Sequence, residues 1–143
     1  MKHLIIPSII LLAGISGGAM AVDCTNGTQL RNTGGNNVVA NAVSGKTVCA
    51  TIGGNKWQEY HQAGGALIDY KKGPSDPVDP TKPVGSWSAS GTGNGSLVTY
   101  NYGTGGSYSY EVHLSGAQYT LCGVSGAPTV DVTLRSGQVS CGF

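Results

Sequence analysis

The chain has 143 residues, 8 basic against 7 acidic side chains for a formal net charge of +1, and hydrophobic residues at 39%. That supports one packed domain, and the near-zero charge removes any electrostatic reason to expect nucleic acid or an anionic membrane as partner. Charged residues make up only 10% of the chain and glycines number 24; alongside so much apolar matter, the glycines read as turns between short strands rather than as a disordered tract.

Residues 1–21 read as a secretory signal peptide. Met1-Lys2-His3 is a basic start, Leu4 to Ala13 is almost wholly apolar, and Ser16 to Ala21 is rich in small residues and ends Ala19-Met20-Ala21. The apolar run is short of the roughly 20 residues that span a bilayer, and Ala-x-Ala is a cleavage signature. Ile15 stands where a lipid-attachment cysteine would have to be. Cleavage after Ala21 is expected to leave one domain over residues 22–143, periplasmic or secreted, with no transmembrane segment.

Past the leader, residues 25–37 are rich in Gly, Asn and Thr and predict a loop. Val38 to Val43 fits a strand or a helical turn equally. Lys46–Ile52, Trp57–Gln62 and Ala66–Tyr70 predict strands, with Trp57, Glu59 and His61 on one face of the second. Pro74, Pro77, Pro80 and Pro83 then recur at every third residue. That is the period of polyproline II, so residues 71–83 predict a stiff, extended connection across the surface.

The second half alternates more clearly. Gly85–Ser90 places Trp87 and Ala89 on one face, and Ser96–Tyr102 places Val98, Tyr100 and Tyr102 together. In Ser107–Ser115, Tyr108, Tyr110, Val112 and Leu114 oppose Ser109, Glu111 and His113. Gln118–Cys122, Thr129–Leu134 and Val139–Cys141 complete the strands. Short Gly-rich connections predict antiparallel hairpins in chain order. An all-β meander of this size hides its edges by closing into a small barrel, with a β-sandwich as the alternative. The expected interior set is Trp87, Tyr110, Val112, Leu114, Val130, Val132 and Leu134.

Cys24, Cys49, Cys122 and Cys141 give an even count in an exported context, which predicts two disulfides. Of three possible pairings, Cys24–Cys49 and Cys122–Cys141 are favoured because each ties a local segment, for roughly 3 kcal/mol apiece. The spacing lacks the Cys-x-x-Cys of a zinc site.

The stretch Trp57-Gln58-Glu59-Tyr60-His61, then Asp69-Tyr70-Lys71, then Asp79 to Ser88 (DPTKPVGSWS) resembles a group of small exported bacterial β-proteins to which no activity is assigned. The resemblance covers the middle and C-terminal parts of the expected mature chain and implies a small barrel or sandwich, with no catalytic residue to carry over. Gly85-Ser86-Trp87 also resembles the Gly-x-Trp of lipocalin- and avidin-like (calycin-like) barrels, although there the motif opens the first strand.

Three chemistries are open to these residues. Trp57, Trp87, Tyr100, Tyr102, Tyr108 and Tyr110 could form an aromatic surface or cavity for a sugar, a small apolar ligand or a protein partner. The pairs Glu59/His61 and Glu111/His113 each set a carboxylate beside an imidazole on one strand face, and would suit a divalent metal if their strands were neighbours, with Asp69 a further member. The Gly/Ser/Tyr-rich composition would also suit a structural envelope or matrix protein. No Gly-x-Ser-x-Gly elbow and no phosphate loop is present, so no catalytic residue is assigned and no cofactor is expected beyond that metal. The reading is an exported, non-enzymatic binding or interaction module, with metal binding or metal-dependent catalysis as the alternative.

Overall fold

A computed structural model describes residues 24–69 and 82–143. The leader and the segment from Tyr70 to Thr81, including three of the four periodic prolines, lie outside the described residues, and the expectations placed on them go untested.

The elements are β1 (Thr28–Gln29), α1 (Val38–Val43), β2 (Lys46–Ile52), β3 (Asn55–His61), β4 (Ala66–Asp69), β5 (Pro83–Ser90), β6 (Leu97–Asn101), β7 (Ser107–Ser115), β8 (Gln118–Val124) and β9 (Val130–Ser136). From β2 to β9 each strand pairs antiparallel with the next, and β9 returns to β2 through Val48↔Leu134 and Cys49↔Thr133. The result is a closed eight-stranded barrel rather than a sandwich, so no ladder edge remains among these strands. β1 is an extra strand alongside the far end of β7, at Thr28↔Leu114 and Gln29↔His113.

Local chemistry sets the corners. Ile52↔Asn55 closes the β2–β3 hairpin around Gly53 and Gly54, whose φ values of 55° and 86° make a two-residue turn that side chains disfavour. β3 therefore starts two residues before the expected Trp57. Val38–Val43, ambiguous by pattern, is helical because Asn37 caps it, its side chain accepting from Ala40 N–H at 3.0 Å. Buried Asn32 ties the helix to the wall: its Oδ1 accepts from Val39 N–H at 2.9 Å, and its Nδ2 donates to the Gly91 carbonyl at 3.2 Å. Val39 and Val43 are fully buried, and α1 packs on β2, β5 and β6, so the helix plugs the end of the barrel from which β2 departs.

The core runs from Val39 and Val43 through Val48, Leu67, Trp87, Val98, Tyr100, Tyr110, Val112, Leu121, Val130 and Val132. Of the expected interior set, Leu114 and Leu134 are only partly buried, being near strand ends.

Three expectations need correction. Residues 139–141 are not a strand: Val139 N–H donates to Thr47 Oγ1 (3.1 Å) and Cys141 N–H to Gln58 Oε1 (2.7 Å), so side chains take the donors a ladder would use. Residues 25–37 are not wholly loop, since they contain β1. The disulfides are Cys24–Cys122 and Cys49–Cys141, not the sequence-local pairs. Closure brings the first and last parts of the chain together across β9, where β2 and β8 flank it. Each terminal segment is thus stapled to the outer wall on one side of that strand. No cysteine is left free. Two such bridges point to an oxidising, extracytoplasmic environment. Among the described residues no helix is long and apolar enough to cross a membrane.

Gly123 on β8 marks a close approach. A Cβ there would overlap the backbone carbonyl of Ala127, which no side-chain rotation can relieve. Gly123→Ala is expected to cost about 2 kcal/mol, read as a shift in the urea midpoint at unchanged slope.

Candidate ligand site at the end of the barrel opposite the helix

Strand parity determines what enters the barrel. Trp57, Glu59 and His61 alternate with outward Gln58 and Tyr60, so the first three point inward. Tyr100 and Tyr110 do the same from β6 and β7. The end opposite α1 is where β2 and β6 finish and β3 and β7 begin. There Ile52, Trp57, Tyr102, Tyr108, Tyr110 and Pro128 surround a recess of about 470 Å³ with Glu59 in its lining.

Beneath the recess the rings continue inward. Trp57 meets Tyr100 edge-on at 5.7 Å between centroids, Tyr100 meets His61 at 5.2 Å, and His61 meets Trp87 at 5.4 Å. Tyr110 stands 5.6 Å from Tyr100, and Tyr102 pairs with Tyr108 at 6.1 Å nearer the rim. Edge and tilted contacts of this kind add to what burial alone gives.

The polar atoms in this column are satisfied. Tyr102 O–H donates to Glu59 Oε2 at 2.7 Å. His61 Nδ1–H donates to the carbonyl of Glu59 at 3.2 Å, leaving Nε2 to accept from Tyr100 O–H at 3.0 Å. Trp87 Nε1–H donates to the Gln62 carbonyl at 3.0 Å. Burial pushes the His61 imidazole down to about 4 and holds it neutral. Burial, and then the nearby Glu59 charge, raise Tyr100 and Tyr102 well above the ordinary phenol. Tyr110 is pushed up to about 12 by burial, then by Tyr108 and Glu59. Tyr100, Tyr102 and Tyr110 therefore stay neutral phenols at any physiological pH.

Of the six aromatic residues singled out above, Trp57, Tyr102, Tyr108 and Tyr110 line the recess. Tyr100 is fully buried beneath it, and Trp87 lies deeper still, against His61. The two Glu-x-His pairs do not meet. Glu59 and His61 point into the barrel from β3, while Glu111 and His113 are on the outer face of β7, and β3 and β7 are separated by three strands. Among the described residues no three His, Cys, Asp or Glu side chains gather as a group that could hold a metal ion. Asp69 is the register partner of Glu59 on β4.

Although it is on the outer face of β7, His113 is buried. Its Nε2–H donates to Glu111 Oε2 at 2.9 Å, and the Gly27 carbonyl is 3.4 Å from Nδ1. The N-terminal segment held by Cys24–Cys122 lies over it.

Of the lining residues, Ile52 and Pro128 were not foreseen at any site, and Glu59 was foreseen only as a metal ligand. Ile52 shares the inward parity of Val48 and Ala50, and Glu59 that of Trp57, so both could have been read from alternation. Pro128 lies in a connection and carries no such signal.

Together the fold and the recess define a closed, disulfide-stapled eight-stranded barrel, plugged by a helix at one end and presenting an aromatic recess at the other. Comparison with protein-family models, curated proteins and solved structures returned no match.

Proposed function

We propose that this chain is an exported, non-enzymatic binding module that receives a small ligand, or a projecting group of a larger partner, in the aromatic recess. The observation that carries this reading is the convergence of Trp57 from β3, Tyr108 and Tyr110 from β7 and Tyr102 just past β6 on one concavity of about 470 Å³ at the end opposite α1. Pockets of this size, mostly apolar with few polar groups, are the common form of small-ligand sites, and the mouths of small barrels are a common place for them. The leader pattern of residues 1–21 supports export, and the two bridges fit it. N-terminal sequencing of the protein recovered outside the cytoplasm should then begin at Val22.

Trp57 reports on the recess directly. Its emission should change on titration with at least one member of a panel of monosaccharides, aromatic acids, alkyl alcohols and alkylamines. At a ligand concentration about 100 times Kd, the folded state should gain about 2.7 kcal/mol. Tyr108 is exposed at the rim and can be replaced without opening the core. Tyr108→Ser should weaken the response at least about tenfold, in line with loss of an aromatic contact at a binding centre. A ligand that binds Tyr108→Ser and Trp57→Phe as well as the unaltered chain would place the site elsewhere and end this reading.

A further inference from the structure

We propose that Cys49–Cys141 is a thiol-exchange site: of the two bridges it is the one a reducing thiol opens first, and its opening frees the C-terminal tail while Cys24–Cys122 and the barrel hold. Access is the first ground. Cys49 and Cys141 both line a groove of about 430 Å³ on the outer wall, with Thr51, Thr133, Arg135 and Phe143 beside them. Cys141 is part-exposed and Cys49 nearly buried, so an incoming sulfur meets Cys141.

Charge is the second ground. Exchange proceeds through thiolates, so a nearby cation favours it and a nearby carboxylate opposes it. Arg135 is in the groove, and its Nη1 donates to the carbonyl of Ser140, the residue before Cys141, at 2.7 Å. Lys56 attends the same tail, its Nζ 4.6 Å from the Phe143 ring centre. Asp131 also lines the groove, but its Oδ1 accepts from Thr120 Oγ1 at 2.7 Å, which draws it toward β8 and away from β2. Cys122 has the opposite setting. Its register partner on β7 is Glu111, so a carboxylate shares the outward face with that bridge, accepting there from His113 Nε2–H.

The third ground is what the tail covers. Residues 137–143 belong to no strand, and Val139 and Cys141 N–H donate to the side chains of Thr47 and Gln58. Both of those are buried polar residues on the outer face, so release of the tail uncovers a hydroxyl and an amide rather than core. The chemistry balances with a dithiol as reductant. Its thiolate attacks Cys141 Sγ, the bridge breaks, and Cys49 leaves as a thiolate that takes a proton from water. The second thiolate then displaces Cys141, and two electrons and two protons have passed to the chain.

The test treats the oxidised protein with an excess of a monothiol, stops the reaction with acid at early times, alkylates free cysteines and maps the first adduct by peptide mass spectrometry. With neutral 2-mercaptoethanol, adducts on Cys141 with Cys49 free should outnumber those at Cys24 or Cys122 by at least about tenfold. That ratio should rise with anionic 2-mercaptoethanesulfonate and fall with cationic cysteamine; because it is taken within each thiol, differences in thiol reactivity cancel. Hydrogen exchange of the opened species should show lost protection confined to residues 137–143. Equal or earlier opening of Cys24–Cys122 overturns the proposal, as does protection lost throughout the barrel. A ratio indifferent to thiol charge overturns the part given to Arg135.

Discussion

Replacing Cys49 and Cys141 together by serine should lower stability by about 4 kcal/mol and the melting temperature by about 15 °C. The bridge joins residues 92 apart in sequence. With Cys24–Cys122 still in place, the shortest closed loop is roughly half that, because the chain can be traced back to Cys24 and onward from Cys122. The cost depends only on the logarithm of loop length, so most of the effect survives this shortening. The double substitution also frees the tail that delivers Cys141 N–H to buried Gln58, leaving that amide oxygen to water or to no partner. Urea or thermal unfolding of the oxidised double variant measures the effect. A loss under about 1 kcal/mol would mean that the unfolded chain is already held compact near this seam.

Acid should act on the same barrel from its centre. His61 is fully buried and its pKa is held near 4, against 6.5 for a solvated imidazole. The folded state therefore binds the proton less readily than the unfolded state. Its contribution is complete above about pH 6.5 and is lost as pH falls toward 4, for about 3 kcal/mol across that window. The groups facing the ring allow no easy escape: Tyr100 O–H already occupies Nε2, Trp87 packs on the ring, and the Glu59 carbonyl takes Nδ1–H. Protonation at Nε2 would force the Tyr100 hydroxyl to turn and accept, taking its own proton away from the acceptor it now uses. Urea midpoints at pH 7, 5.5 and 4 should fall steadily in the unaltered protein. His61→Gln can still accept from Tyr100 and does not titrate, so it should lose most of this slope though starting from a lower stability. Equal slopes in the two proteins would assign the acid sensitivity to carboxylates instead.

Much of the architecture was legible in the chain because strand alternation is a local signal that burial obeys. Ser107–Ser115 was read with its bounds and its inward face, since tyrosine, valine and leucine alternate there with serine, glutamate and histidine. Closure of the meander followed from short turns and the need to hide edges. What was not legible depends on contacts distant in sequence. The pairing of Cys24 with Cys122 is set by which segments meet after β9 returns to β2. His113 is buried by a terminal segment crossing an outer face, which no alternation on β7 can reveal. The aromatic site was half visible: parity grouped Tyr108 with Tyr110 and Trp57 with Glu59, but not their depth. Only the barrel separates Tyr102 and Tyr108 near the rim from Tyr100 and Trp87 within.

The bridges also interleave, first cysteine with third and second with fourth. For a chain threaded outward from its N-terminus, this sets an order of events. Cys24 and Cys49 emerge together and without native partners, since Cys122 and Cys141 follow only after most of the barrel has been delivered. An oxidant that joins thiols in order of appearance would make Cys24–Cys49, tying the N-terminal segment to β2 rather than to β8. Correct maturation therefore calls for thiols kept unpaired until β8 has emerged, or for a partner able to reshuffle the early bridge. The yield of native protein should accordingly depend on disulfide isomerase activity in the compartment that receives it, much more than on the rate of oxidation there.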